Sequence, residues 1–181
     1  MRTRISVGLL TVAVAATAFA VACGGSDNHP TAPVTEKFSA SLNGANERPT
    51  PHTTPAVATA EFTLRSDTLS WDIVMSGITN VTAAHIHIGD ANTAAGILLP
   101  LTPGTSGVNS TRLEGFVTRA GYTPPGAPNA GVTFDSLLVL MRNGNSYVNV
   151  HTNNTANDPT NNSGPGDFPA GEIRGQVAPH A

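Results

Sequence analysis

Cysteine and positive charge are scarce in this chain of 181 residues. Cys23 is the only cysteine, which excludes a disulfide within the chain and leaves packing or a bound ion to stabilise the fold. Lys37 is the only lysine, and 9 basic residues stand against 12 acidic ones. Proteins that bind nucleic acid cluster Lys and Arg on one surface, so this composition argues against nucleic acid as a partner.

Recognisable catalytic motifs are also missing from the sequence. It contains no G-x-S-x-G nucleophile elbow, no H-E-x-x-H motif and no glycine-rich phosphate loop. Aromatic residues make up 5% of the chain, and the single tryptophan, Trp71, shares one face of a predicted strand with Leu69 and Ile73. We therefore expect Trp71 in the core, and a binding or structural protein rather than an enzyme.

The one long apolar run lies near the N-terminus and predicts export. Arg2 and Arg4 precede the apolar residues 5–18, and small residues then lead to Cys23. Residues 1–22 are therefore interpreted as a signal peptide, and Cys23 resembles the lipidated cysteine of bacterial lipoproteins. An ordinary secretory signal or an uncleaved anchor would also export the chain. The polar residues 23–36 are expected to form a flexible tether, with the domain in the periplasm or at the cell surface.

Residues 37–178 are predicted to form one all-β domain with a single short helix. Alternating apolar and polar residues predict short strands, and in 58–64 and 69–75 they predict a hairpin. Apolar residues recur at helical spacing in 135–142, where Thr133 can cap the start of a helix and Asn143 its end. Many short strands joined by Gly and Pro turns favour an antiparallel β-sandwich or Greek-key barrel.

Three of the predicted strands alternate aliphatic residues with polar functional ones. They are A-H-I-H-I-G at 84–89, Y-V-N-V-H-T at 147–152 and G-E-I-R-G-Q-V at 171–177. Since successive side chains of a strand point to opposite faces, the aliphatic residues would line the core and the functional ones the other face. The functional side chains are His85 and His87, then Asn149 and His151, then Glu172, Arg174 and Gln176. Neighbouring positions in one sheet would make them a candidate site.

The histidines have the spacing of metal ligands. His85 and His87 would project from one face of a strand, about 6 to 7 Å apart at the backbone. With His151 they offer three imidazoles to copper or zinc, and Glu172 is a candidate fourth ligand or an acceptor that orients a histidine. The side chains expected to flank the metal site are Asn149, Arg174 and Gln176.

A structural role for the same cluster stays open. The histidines could instead form hydrogen bonds with neighbouring strands, while Glu172 and Arg174 pair and hold the last strand in place. Arg174 beside a metal ion would be unfavourable unless a carboxylate or an anion screens its charge.

Four motifs together resemble those of the chordin-type (CHRD) domain. F-x-A-x-L-x-G-x-x-E-x-P begins at Phe38, and A-H-I-H-x-G, Y-V-N-V-H-T and G-E-I-R-G-Q follow in that order. The resemblance covers about residues 38–177 and implies a β-rich extracytoplasmic domain of exported bacterial proteins, without supplying a function. Within the first motif, Glu47 and Arg48 are expected to form a buried ion pair.

A fainter resemblance connects residues 85–90, H-I-H-I-G-D, with the H-x-H-x-x-G-D segment of copper-zinc superoxide dismutases. It favours a superoxide-dismutase-like or immunoglobulin-like barrel and a single metal ion. Those enzymes need further histidines, an aspartate ligand and usually a disulfide, so the resemblance does not extend to dismutase activity.

The sequence thus predicts an extracytoplasmic, lipid-anchored binding module that holds a copper or zinc ion through a histidine cluster. The alternative is a structural or protein-interaction domain of the envelope without a metal, and a dismutase-like redox enzyme ranks third. The expected partners are the membrane, through lipid on Cys23, and an envelope protein, with no nucleic acid.

Overall fold

A computed structural model describes residues 35–101, 111–124, 126, 128–154 and 164–180. The predicted signal peptide, the predicted lipidation site Cys23 and all but the end of the predicted tether lie outside these residues. No helix within them is long and apolar enough to cross a membrane.

Short strands dominate the described part of the chain. The strands are β1 Thr35–Asn43, β2 Val57–Arg65, β3 Thr68–Ser76, β4 Val81–Ile88, β5 Ile97–Pro100, β6 Arg112–Thr118, β7 Ser146–Thr152, β8 Ile173–Gln176 and β9 Ala178–Pro179. One helix, α1, covers Phe134–Arg142, and a 3₁₀ turn at Gly44–Asn46 follows β1. The predicted hairpin, the histidine-bearing strand and the helix are all present.

The strands form one antiparallel, curled sheet. Its order is β5-β4-β7-β8-β1-β2-β3-β6, and β9 pairs with β1 beside β8. β8 and β1 share a single residue pair, Asn43 with Arg174, so the sheet is nearly divided into two four-stranded halves. Apolar residues from both halves meet in one core. The predicted all-β antiparallel fold with one short helix is confirmed.

Residue alternation explains the core. In β2, buried and exposed residues alternate along the whole strand, and Ala60 and Phe62 are almost fully buried. Trp71 of β3 lies opposite Phe62 and is also buried, and its indole Nε1–H donates to the carbonyl of Leu101 at 3.1 Å. Trp71 is therefore a core residue, as predicted, and its hydrogen bond connects β3 with the end of β5.

Helix α1 covers part of this core. The hydroxyl of Thr133 accepts a hydrogen bond from the backbone N–H of Ser136 at 3.1 Å, and Asn143 caps the other end. The helix buries an apolar face and leaves Val139 exposed on the opposite side. The local caps and the spacing of apolar residues thus fix its position, as the sequence predicts.

The boundary of the predicted tether needs a correction. β1 begins at Thr35, so Thr35 and Glu36 belong to the sheet rather than to the tether. Both residues pair with β2, and the carboxylate of Glu36 accepts two hydrogen bonds from Arg142, each at 2.7 Å. This long-range pairing orders a polar segment that local composition alone assigns to a tether.

Candidate metal centre

Strands β4 and β7 bring the histidines together. They pair antiparallel, and the side chains of Ile86 and Val148, which lie opposite each other, are buried in the core. The intervening positions point to the other face of the sheet. That face carries His85 and His87 from β4 and His151 from β7, which we call the His triad.

The His triad is compact enough to hold one ion. One ring nitrogen from each histidine lies within 4.8 Å of the others. Nδ1 of His85 and Nε2 of His151 are 3.1 Å apart, and the ring centroids of His85 and His87 are separated by 5.5 Å. Three nitrogens so arranged can converge on a metal at the usual metal–nitrogen distance of about 2 Å after small rotations.

Backbone carbonyls fix the tautomers of two of these rings. Nδ1 of His87 donates to the carbonyl of Ala95 at 2.8 Å, and Nδ1 of His151 donates to the carbonyl of Pro169 at 2.9 Å. Since each Nδ1 carries the proton, each neutral ring keeps its lone pair on Nε2. Within the described residues, Nε2 of His87 is buried without a hydrogen-bond partner. A metal-binding histidine commonly has this arrangement of one nitrogen held and the other free.

Burial keeps the triad uncharged. Burial, followed by the charges of His151 and His87, lowers the pKa of His85 to about 4. Burial also lowers the pKa of His87 to about 4, although its hydrogen bond to Ala95 opposes the change. The pKa of His151 is lowered by burial against the opposing effect of the Pro169 carbonyl. All three imidazoles are therefore neutral near pH 7, which is the state that binds metal ions.

The comparison with known proteins assigns the family. The sequence model of the CHRD domain family matches residues 38–158, which make up more than half of the chain. The chain belongs to the CHRD domain family. The matched part includes the whole His triad and ends before β8, so three of the predicted site residues, Glu172, Arg174 and Gln176, follow it. No curated protein matches the chain.

The structure places Glu172 of this CHRD domain apart from the His triad. Glu172 is fully buried, and its carboxylate accepts hydrogen bonds from the hydroxyls of Thr54 and Thr152 and from the backbone N–H of Gly166. Among the described residues, the ligand atoms that lie within 4.8 Å of one another belong to the three histidines, and Glu172 is not part of this group. Glu172 therefore ties three segments of the CHRD domain together, and it is not brought to the triad as a fourth ligand.

Asn149, Arg174 and Gln176 lie on the same face as the His triad but bind other groups. The amide of Asn149 donates to the carboxylate of Glu47 at 3.2 Å. The amide nitrogen of Gln176 lies 2.7 to 2.9 Å from three backbone carbonyl oxygens, which share its two N–H donors. Arg174 donates to the carbonyls of Asp90 and Thr93. These side chains hold the loops that surround the triad.

Tyr147 is the residue that sequence reasoning missed. The ring of Tyr147 stacks on the ring of His87, with the ring centroids 5.0 Å apart and the planes 9° from parallel. The guanidinium carbon of Arg174 lies 3.4 Å from the centroid of the Tyr147 ring. Its hydroxyl accepts from the N–H of Ala95 at 3.0 Å. Alternation in Y-V-N-V-H-T already places Tyr147 on the face of His151, so the signal was present. Tyr147 separates the Arg174 charge from His87.

Glu47 is buried, but its predicted ion pair with Arg48 is not formed. The guanidinium of Arg48 donates to the backbone carbonyls of Ala45 and Glu47 instead. Burial raises the pKa of Glu47 to about 7, opposed first by the charge of Arg174 and then by the hydrogen bond from Asn149. Because Arg174 approaches from a distant strand, the neighbouring position of Arg48 in the sequence was a misleading signal.

Proposed function

We propose that this CHRD domain is a binding module that holds one copper or zinc ion through His85, His87 and His151. The observation that carries the proposal is the pair of Nδ1–H groups held by backbone carbonyls, which leaves both Nε2 atoms with a lone pair. Nε2 of His87 has no partner among the described residues, and Nε2 of His151 accepts a hydrogen bond from Nδ1 of His85 at 3.1 Å, a contact that a shared ion would replace. An unpartnered buried nitrogen such as Nε2 of His87 costs free energy, and a bound ion would remove that cost. A domain that merely used its histidines as structural braces would gain nothing from leaving this nitrogen free.

The three imidazole ligands favour a metal of intermediate softness. Three neutral imidazoles suit copper and zinc, whereas magnesium and calcium prefer oxygen ligands. Three protein ligands leave a further coordination position for water or another molecule. The positive charge of Arg174 acts on the site through the ring of Tyr147, which lies between Arg174 and His87. We therefore expect binding that needs no carboxylate ligand.

The test is the metal content and melting temperature of the full chain, purified in detergent and dialysed against copper or zinc. We expect about one ion per chain and a higher melting temperature with the metal. The substitution His87→Ala should abolish both effects, because it removes a ligand. The matched control is His180→Ala, which removes an exposed histidine outside the triad. Equal metal content in the two variants, or no retained metal in the unsubstituted chain, would disprove the proposal.

We also propose that the chain is exported and held at a membrane by lipid on Cys23, facing the periplasm or the cell surface. The support is in the sequence: two arginines, an apolar run and then small residues before the single cysteine. The polar tether would let the CHRD domain stand clear of the membrane surface.

Fractionation of a bacterial host tests this anchor. Cys23→Ser should move the chain from the membrane to the soluble extracytoplasmic fraction and abolish labelling with a radioactive fatty acid. The control Ser26→Ala, in the same polar segment, should leave both properties unchanged. Continued membrane retention of Cys23→Ser would instead favour an uncleaved apolar anchor.

A further inference from the structure

Strand β6 is an end strand of the sheet, and one of its edges is open. It pairs with β3 and with no other strand of the described chain. Just before β6, the backbone N–H of Met75 donates to the carbonyl of Thr111 at 2.7 Å. Because hydrogen-bonded pairs alternate with non-bonded pairs in an antiparallel ladder, Glu114 and Phe116 direct their N–H and C=O groups away from β3. Among the described residues, none bonds to these four groups.

The other end strand, β5, has no comparable edge. It is four residues long and ends at Pro100, and its pairing with β4 contains a register shift. The amide of Asn129 donates to the carbonyl of Ile97 at 3.0 Å, and the hydroxyl of Tyr122 donates to that of Leu98 at 3.1 Å. Short length, proline, irregular pairing and side chains that occupy backbone groups all keep an edge from adding a further strand. β6 has seven residues in regular register and none of these features.

The core side of β6 is also incompletely covered. Leu113, Gly115 and Val117 point inward, yet each is only half-buried, whereas the inward residues of β2 and β3 are buried. Val117 borders a cavity of about 760 Å³ whose described lining residues carry no formal charge. On the outer face, Phe116 is 69% exposed, more than any other large apolar side chain that the structure describes. Both faces of the edge therefore keep apolar surface that a further strand would cover.

We propose that the β6 edges of two copies of this chain pair antiparallel and join their sheets across a two-fold axis at Gly115. The whole strand then pairs with its copy, with Glu114 opposite Phe116, Leu113 opposite Val117 and Arg112 opposite Thr118. Apolar residues meet on the inner face, and no two like charges are directly opposite. A register shifted by two residues would set Glu114 opposite its own copy in one direction, and would leave Arg112 outside the ladder in the other.

The paired edges supply what the open strand lacks. Glu114 and Phe116 each exchange two backbone hydrogen bonds with the second copy. Leu113 of the second copy lies beside Val117, where the cavity offers uncharged space for an apolar side chain. Near the axis, the guanidinium of Arg112 lies 3.0 Å from the carboxylate of Glu114 in the same copy and offsets its charge. The pairing does not involve the His triad, so it is independent of metal binding.

Two substitutions of Glu114 test the proposal on the full chain in detergent, by sedimentation equilibrium under density-matched conditions. Glu114→Pro removes an N–H that points away from β3, so it breaks bonds to the second copy and spares the β3–β6 ladder. Glu114→Ala, the matched control, removes the same side chain and its ion pair with Arg112 but keeps the N–H. We expect the unsubstituted chain and Glu114→Ala to form dimers, and the dimer dissociation constant of Glu114→Pro to be at least about tenfold higher.

Hydrogen exchange is a second measurement, and it needs no substitution. The amides of Glu114 and Phe116 should exchange at least about tenfold faster after dilution of the dimer to monomers, while the amide of Gly115, which bonds to β3, stays protected. A monomer at every concentration, equal dissociation constants for the two variants, or fast exchange of both edge amides in a dimer would each overturn the inference. So would a different protein that copurifies on this edge and whose removal leaves a monomer.

Discussion

At the level of single residues, two contacts and one unpartnered nitrogen determine what His87 can bind. Its Nδ1–H is committed to the Ala95 carbonyl, its ring face to Tyr147, and its Nε2 has no partner among the described residues. The cation–π contact of Arg174 with the far side of Tyr147 holds this stack in place, and such contacts contribute about 1 kcal/mol. His87 thus has a fixed orientation before any ion arrives, which reduces the conformational entropy lost on binding.

Substitution of Glu172 tests whether this residue is a metal ligand or a structural hydrogen-bond acceptor. Its carboxylate accepts hydrogen bonds from Thr54, Thr152 and the backbone of Gly166. Glu172→Gln would set an NH₂ group against one of these donors, so we expect the free energy of unfolding to fall by about 2 to 4 kcal/mol. Metal content should remain unchanged, because the ligands are elsewhere. Urea denaturation and metal analysis measure the two effects.

Glu61→Gln is the matched control for this prediction, since it alters an exposed carboxylate of β2. It should change neither quantity. Loss of metal from Glu172→Gln without loss of stability would restore Glu172 as the fourth ligand that the sequence suggested.

At the level of elements, the sequence predicts what contiguous residues determine. The β2–β3 hairpin, β4 and α1 are specified by alternation, by helical spacing and by the Thr133 cap, all of which are local signals. The pairing of His85 and His87 on one face follows from the same alternation. These elements therefore lie close to where the sequence puts them.

The carbonyl contacts of the site could not be predicted in this way. Ala95 and Pro169 lie in loops, 8 and 18 residues from the histidines that they hold. Alternation also misleads at Glu172, since β8 begins only at Ile173 and Gly171 has a φ of +134°. Outside a regular strand, the direction of a side chain depends on the loop that carries it, and loop conformation depends on distant contacts.

At the level of the whole molecule, buried ionisable groups make stability depend on pH in opposing directions. The pKa values of His85 and His87 are lowered to about 4 in the native state, whereas a histidine of the unfolded chain has a pKa of about 6.5. Between these two values the unfolded chain therefore binds protons that the native state does not. This effect raises stability as the pH increases from about 4 to about 6.5. Glu47 acts in the opposite sense over an overlapping range, so stability curves of the unsubstituted protein combine both effects.

Comparison with Glu47→Gln isolates the carboxyl contribution. Its pKa is about 7 in the native state and near 4.5 in the unfolded chain, so between these values the native state binds more protons. The free energy of unfolding therefore falls as the pH rises through this range, by roughly 3 kcal/mol in total. We expect Glu47→Gln to lack this loss, so that its stability relative to the unsubstituted protein improves by roughly 2 to 3 kcal/mol between about pH 5 and pH 8.

Urea denaturation of the metal-free proteins at closely spaced pH values measures this difference. The histidines contribute equally to both proteins, so their titration cancels in the comparison. Glu47 is 2% exposed, and one of its carboxylate oxygens has no hydrogen-bond partner within the described chain, so ionisation in the native state lacks compensation. A stability difference that stays flat with pH would show that the native carboxyl ionises as readily as in the unfolded chain. The nearby charge of Arg174 would then outweigh the burial of Glu47.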